Sequence, residues 1–322
     1  MTDTRVLLVG AGNIAVDYVK VLMAQGVDFD VIGRSESGCK RFFENTGIVA
    51  EPGGVTEFRS KNYSDYSAAI IATQAQELSN CTNILLKSGI KRILVEKPAG
   101  MSQQDLVQSK VLAEIEKATV FVGYNRRLYS STKKACEIIE EDGGVTSFNF
   151  EFTEWAHRVL AAHLPNGTLD NWLLANSTHV IDLAFFLGGK PVDMKTYSCD
   201  NGNWCKENGT YAGAGVTENG ALFSYQSNWS APGRWGVEVL TRKHRLIFRP
   251  LEQLYVQKMK SVEINKVQID DHLDLEYKPG LFREVEALMG VDADSEKNMK
   301  TISEQVNDFI YYQQISGRTY SQ

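Results

Sequence analysis

Arg5-Val6-Leu7-Leu8-Val9-Gly10-Ala11-Gly12-Asn13-Ile14-Ala15 decides how the chain is read. An apolar run ends in a glycine turn. Beyond it, residues 14–22 place Ile14, Tyr18, Val21 and Leu22 on one helical face. The turn fits G-x-G-x-x-G/A, in which the first glycine allows a tight turn and the second lets a pyrophosphate approach the backbone. A small third residue lets helix and strand pack closely. Amides at the helix N-terminus then face the anion. Gly10, Gly12, Asn13 and Ile14 are therefore expected to hold a dinucleotide.

Working outward, strand-like runs recur at 29–32, 68–72, 93–95 and 119–122. Helical stretches fall between them at about 76–87 and 103–116, the second opened by Ser102 and Asp105 in a capping-box-like start. Short apolar strands alternating with helices predict a parallel sheet covered on both faces. After Gly123 the texture changes. Residues 131–141 read as a helix stopped by Gly143-Gly144. Phe148, Phe150 and Phe152 then alternate with polar neighbours, as in a sheet with one polar face. Further strands are predicted at 221–229, 236–240 and 245–248, with antiparallel pairing across short turns. Helices return at 178–187, 281–289 and 302–312. The expectation is a first domain over 1–123 and an α+β domain over 124–322.

Composition narrows the function classes. With 322 residues and 43% apolar content the chain can bury two cores. A net charge of −6, from 34 Lys and Arg against 40 Asp and Glu, argues against a nucleic-acid partner. No apolar run approaches the ~20 residues needed to span a bilayer, and no signal peptide is read, so the expected location is cytoplasmic, without a membrane partner. The five cysteines are scattered, with no CxxC pair and no histidines at metal spacing. They read as reduced thiols, and no metal is expected.

The end of the second strand should report cofactor choice, because an NAD enzyme places Asp or Glu there against the ribose 2′-hydroxyl. This chain has Gly33-Arg34-Ser35, and Asp30 sits at the wrong end of the strand. Arg34 and Ser35 suit a 2′-phosphate, which favours NADP(H) and leaves NAD(H) open through Glu36. Thr73, at the third strand's end, completes the cofactor set with Glu96 and Lys97. Ile93-Leu94-Val95 runs into Glu96-Lys97-Pro98 at a strand's carboxyl end, where ligands of open parallel sheets gather. A lysine there can stabilise negative charge developing on a substrate oxygen.

On these residues the chain resembles the glucose–fructose oxidoreductase and inositol dehydrogenase (Gfo/Idh/MocA) family. The resemblance is carried by 10–15, Glu96-Lys97-Pro98, Gly123-Tyr124-Asn125-Arg126-Arg127, and His179 with Asp182 before Leu187-Gly188-Gly189. Residues 229–233 and 277–280 add to it. It implies a Rossmann, doubly wound parallel sheet followed by an α+β domain with an open, largely antiparallel sheet that mediates a homodimer or homotetramer. It also implies hydride transfer between a nicotinamide and a carbinol or ketone of a sugar, nucleotide sugar or cyclitol. By the same resemblance Lys97 binds the reacting hydroxyl and His179 is the acid/base. Asn125, Arg126 and Asn176 join Lys97 and His179 on the substrate side.

One departure stands out. The family often reads Leu-Leu-Asp-x-Gly-x-His, and this chain reads Leu173-Leu174-Ala175-Asn176-Ser177-Thr178-His179. Ala175 can neither take a proton nor bind a hydroxyl, and Asn176 does no acid/base work near neutrality. Glu154 falls on the parity of Phe148, Phe150 and Phe152, an odd place for a charge unless it reaches a cleft. Trp155, His157, Arg158 and His163 follow, with Arg158 or His157 able to meet a substrate phosphate. Two other classes remain open: a redox-assisted glycosidase or lyase with a retained cofactor, and a non-catalytic NADP-binding regulator.

Overall fold

The computed structural model describes residues 5–58, 63–161, 164, 168–200 and 207–318. It divides into two compact units. The first takes in the chain as far as Asn125 and returns for Leu275–Asp308; the second holds Arg126–Asp274 and the chain from Phe309. A single boundary after Gly123 therefore misses the return of 275–308 to the first unit.

In the first unit β1 (Arg5–Val9), β2 (Asp28–Ile32), β3 (Ala50–Glu51), β4 (Ala68–Ile71), β5 (Arg92–Glu96) and β6 (Thr119–Gly123) lie in the order β3-β2-β1-β4-β5-β6. All these neighbours are parallel. The order reverses direction between β1 and β4, and ligands of such sheets bind at that switch point, outside the carboxyl ends. Val6, Leu7, Leu8 and all four β4 residues are buried, as expected of strands covered on both faces. The helix Gln103–Ile115 begins with the capping box read from the sequence: Ser102 Oγ accepts from the Asp105 amide, and the Asp105 carboxylate accepts from the Ser102 amide.

The second unit is built on β7 (Ser147–Glu151), β8 (Pro191–Asp200), β9 (Gly209–Thr217), β10 (Leu222–Asn228), β11 (Gly236–Leu240), β12 (His244–Phe248), β13 (Tyr255–Lys258) and β14 (Ile264–Lys266). Their order is β14-β13-β12-β11-β7-β10-β9-β8. Pairing is antiparallel except at the centre, where β7 and β10 run parallel, so the sheet is largely antiparallel as expected, with one parallel joint. The reason is connectivity: after β7 the chain leaves the sheet through the helix Thr178–Gly188 and rejoins it at the β8 edge. A seventh strand, β15 (Lys300–Thr301), pairs antiparallel with β6 in the first sheet.

Phe148, Phe150, Phe223 and Tyr225 share the inner face; the three phenylalanines pack on Phe185 of the helix Thr178–Gly188, and Tyr225 stacks on Phe150. That helix approaches closely because residue 188 is glycine; a Cβ there would lie 2.2 Å from the Phe148 ring. The outer row carries Asn149, Glu151, Ser224 and Gln226 instead. Phe148 and Tyr225 are buried within their own unit.

Candidate active site

The turn after β1 forms one end of an open pocket of about 420 Å³ at the switch point, lined among others by Gly10, Gly12, Ile14, Arg34, Ser35 and Thr73. Each of these six was picked from the sequence. Gly10 has φ 127°, and a Cβ on it would lie 2.3 Å from the Ala72 carbonyl oxygen, so no larger residue fits. Gly12 differs: a Cβ there would meet no protein atom within 4 Å, which leaves its side open to the pocket. Gly12 is also the N-cap of the helix Asn13–Ala24, where no side chain caps the first amides and no acidic residue occupies the first turn. These amides and the open space suit the pyrophosphate of a dinucleotide. Asn13 begins this helix but is exposed and does not line the pocket.

At the end of β2, Arg34 is exposed on the pocket's rim. Ser35 also lines it, and its hydroxyl caps the helix Glu36–Thr46 by accepting from the Gly38 amide at 3.2 Å. A hydroxyl used this way still carries a proton to donate. Asp30 is held elsewhere, by Arg5 at 2.9 Å and the Tyr66 hydroxyl at 2.5 Å. Among the described lining residues Glu77 is the one carboxylate, and it comes from the far side of the sheet switch, beyond β4.

Lys97 leaves the end of β5 half-buried, followed by a cis peptide to Pro98. Glu96 turns to the protein and not to the pocket: it accepts from the Tyr18 hydroxyl at 2.9 Å. That hydroxyl also lies 3.3 Å from the fully buried Glu284. A phenol has one proton for two carboxylates. Burial raises the Glu96 carboxyl above its usual range, opposed by the Tyr18 hydrogen bond and the Lys97 and Lys278 ammonium groups. The same burial, with both carboxylates nearby, raises the Tyr18 phenol. Asn125 is likewise engaged within the first unit, its amide donating to the Pro279 carbonyl at 2.9 Å.

In the second unit, residues Leu173–Ser177 form a π-helical turn directly before the helix Thr178–Gly188. Such turns often mark functional sites. Two successive side chains in it, Asn176 and Ser177, donate to Glu154, at 3.1 Å and 2.7 Å, and Trp235 Nε1 adds a third donor at 3.2 Å. Glu154 thus sits buried beside the stretch where Ala175 replaces the family's carboxylate. Burial raises its carboxyl above the ordinary range despite these donors. Its parity on the β7 run was the sequence signal for it. His179 is buried with its ring 6.3 Å from that of Trp235, and Arg126 lies over the same indole at 4.9 Å. Asp182 is committed to Arg127 in a buried bidentate pair, both contacts 2.8 Å. It is a structural partner, and His163 lies outside the described residues.

Burial also raises the thiols of Cys39, Cys81 and Cys136, which makes them poor nucleophiles. Among the described residues no group of three or more His, Cys, Asp or Glu is placed to hold a metal ion, and no helix is long and apolar enough to cross a membrane.

Residues 4–124 match the model of an oxidoreductase family with an NAD-binding Rossmann fold, Gfo/Idh/MocA. No curated protein matches the chain. Solved structures do. A Desulfitobacterium hafniense protein, provisionally named an NADPH-dependent oxidoreductase, superposes with TM-score 0.81 at 17% identity, covering 98% of this chain and 96% of its own. An Agrobacterium radiobacter oxidoreductase in complex with NAD+, L-tartaric acid and magnesium gives TM-score 0.78 at 16% identity, over 98% of both chains. The WlbA dehydrogenase of Chromobacterium violaceum, with NADH and UDP-GlcNAcA, gives 0.74 at 17%, covering 99% of this chain and 96% of that one. At such identities the likeness is one of fold. Residues 4–124 thus carry the NAD-binding Rossmann fold of the Gfo/Idh/MocA oxidoreductase family model.

Proposed function

We propose that the protein is an NAD(P)-dependent oxidoreductase moving hydride between a nicotinamide and a carbinol or ketone of a sugar, nucleotide sugar or cyclitol. The observation that carries this reading is the pocket at the switch point, with Gly12 open beside an uncapped helix start. Gly12→Val tests it. Because a Cβ at 12 meets no described protein atom within 4 Å, the variant should still fold, with only the modest loss expected of valine at an N-cap. NADH affinity should fall by roughly tenfold or more, a loss of about 1.4 kcal/mol. Unchanged NADH affinity by calorimetry would remove the pocket from the account.

Bound there, a nicotinamide dinucleotide supplies the hydride donor or acceptor. The chain's own residues do the rest. Backbone amides around Gly12 pair with the pyrophosphate. Lys97 donates a hydrogen bond to the substrate oxygen on which negative charge develops. His179 is the proposed acid/base, a task for which an imidazole is suited near neutrality. Glu154 fixes Asn176 and Trp235, the latter beside His179, in the stretch where Ala175 brings no carboxylate.

The cofactor preference we propose is NADP(H). Arg34 stands at the pocket rim, where the NAD pattern would have a carboxylate, and a guanidinium there suits a 2′-phosphate. NADPH should bind about tenfold tighter than NADH, the worth of one charge-assisted hydrogen bond. Arg34→Asp should reverse the order, and equal affinities in the wild type would refute the preference.

We also propose a homo-oligomer formed through the outer face of the eight-stranded sheet, whose opposite face is covered by the helix Thr178–Gly188. Tyr197 on β8 is 74% exposed. Light scattering at micromolar protein should report a dimer or larger, and monomer alone would end this part of the reading.

A further inference from the structure

Outward from Trp235, arginine and tryptophan side chains of the second unit alternate. Arg234 lies 4.9 Å from the Trp235 ring centre and 4.8 Å from that of Trp155, and Arg158 covers Trp155 at 4.6 Å. Both indoles are pinned by their N–H groups, Trp155 to the Gly233 carbonyl at 2.7 Å and Trp235 to Glu154. They hold the guanidinium planes in place. Arg158 and Arg234 are exposed, and neither guanidinium has a carboxylate partner among the described residues. Stacking occupies the faces of a guanidinium and leaves its N–H edges, which match phosphate oxygens two at a time. The inner end of this ladder is the indole that neighbours His179.

We propose that the ladder binds the phosphate end of the substrate, so that the substrate is a phosphate-bearing sugar whose carbinol is presented at His179. The inference rests on the oxidoreductase reading above and narrows its substrate class. A neutral sugar or cyclitol would give two preorganised, adjacent cations nothing to pair with. A phosphate on the sugar itself and the diphosphate of a nucleotide sugar share this chemistry. The second would add a base to stack beside the indoles.

The test is calorimetric titration of the full chain, saturated with NADH, using inorganic phosphate, uridine diphosphate and glucuronate as probes. NADH occupies the glycine-turn pocket, which would otherwise take the same anions. Phosphate or uridine diphosphate should bind, with tighter binding of the latter pointing to a nucleotide sugar and equal binding to a sugar phosphate. The Arg158→Gln, Arg234→Gln double variant should bind them roughly tenfold or more weakly, since two charged hydrogen-bonding groups are removed. Its melting temperature and NADH affinity should not move, because both side chains are exposed. Equal binding by wild type and double variant, binding of glucuronate alone, or no binding of any probe to the NADH-loaded protein would overturn the proposal. Failure of NADH itself to bind would overturn the oxidoreductase reading and this proposal with it.

Discussion

Lys97→Met is expected to lower turnover roughly 100-fold or more while the nicotinamide dinucleotide binds within a few-fold of wild type. Methionine keeps much of the lysine stem and removes the ammonium donor. The separation of effects follows from where the residues lie in the first unit. Lys97 follows β5, whereas the pocket's glycines follow β1 and its rim follows β2. One mixed effect is built in: the Lys97 charge also opposes the rise of the Glu96 carboxyl, so the variant should carry a more readily protonated Glu96. His179→Ala should lose turnover comparably and also lose the pH dependence near neutrality. Single-turnover kinetics with bound reduced cofactor separate chemistry from binding. Wild-type turnover by Lys97→Met would remove this strand end from the active site.

Asp182→Ala is expected to destabilise the protein by about 3–5 kcal/mol, the usual result of removing one partner from a buried ion pair. Arg127 donates twice to Asp182 at 2.8 Å, with side chains 6% and 2% exposed. Arg127 also lies 4.8 Å over the Phe186 ring, so the guanidinium has no easy route to water. Removing the carboxylate leaves that charge buried. Replacing both, as Arg127→Met with Asp182→Leu, should recover much of the loss, because apolar pairs of similar volume often replace buried ion pairs at little cost. Urea unfolding measures both. A single-variant loss under about 1 kcal/mol would mean that the pair is worth no more than a surface salt bridge.

Much of the first sheet was legible because local chemistry and fold agree there. The β1 run, the glycine turn and the Ser102–Asp105 capping box each settle their own geometry within a few residues. β3 was not legible, being only Ala50–Glu51. β9 was hidden because glycines at 209, 213 and 215 carry no period-two signal. In the sheet the last two are required, since a Cβ at Gly213 would lie 2.4 Å from the Tyr225 ring and one at Gly215 would lie 2.7 Å from the Phe223 ring. The parallel joint of β7 with β10 depends on a long excursion of the chain that no local pattern records.

The candidate site divides in the same way. Gly10, Gly12, Arg34 and Thr73 could be placed because each follows a strand of the first sheet. The protein partners of Glu96 and Asn125 could not be read locally because they come from far along the chain. Glu284 reaches the Tyr18–Glu96 pair across 266 residues, and the Pro279 carbonyl meets Asn125 across 154. Asp182 shares a helix with His179, yet its ion-pair partner is Arg127, 55 residues earlier. Glu154 was flagged by parity alone. Its three donors only emerge once the π-helical turn and Trp235 are brought to the end of β7.

The central claim is net hydride transfer, and the most direct test follows the absorbance of the reduced nicotinamide while the protein is offered free sugars, sugar phosphates, nucleotide sugars and cyclitols, with both cofactors in both redox states. The account predicts that at least one of the phosphate-bearing substrates changes the cofactor's redox state in one-to-one proportion to product formed. Tight cofactor binding with product formed and no net change in redox state, across the whole panel, would contradict it and point to a retained-cofactor lyase or glycosidase.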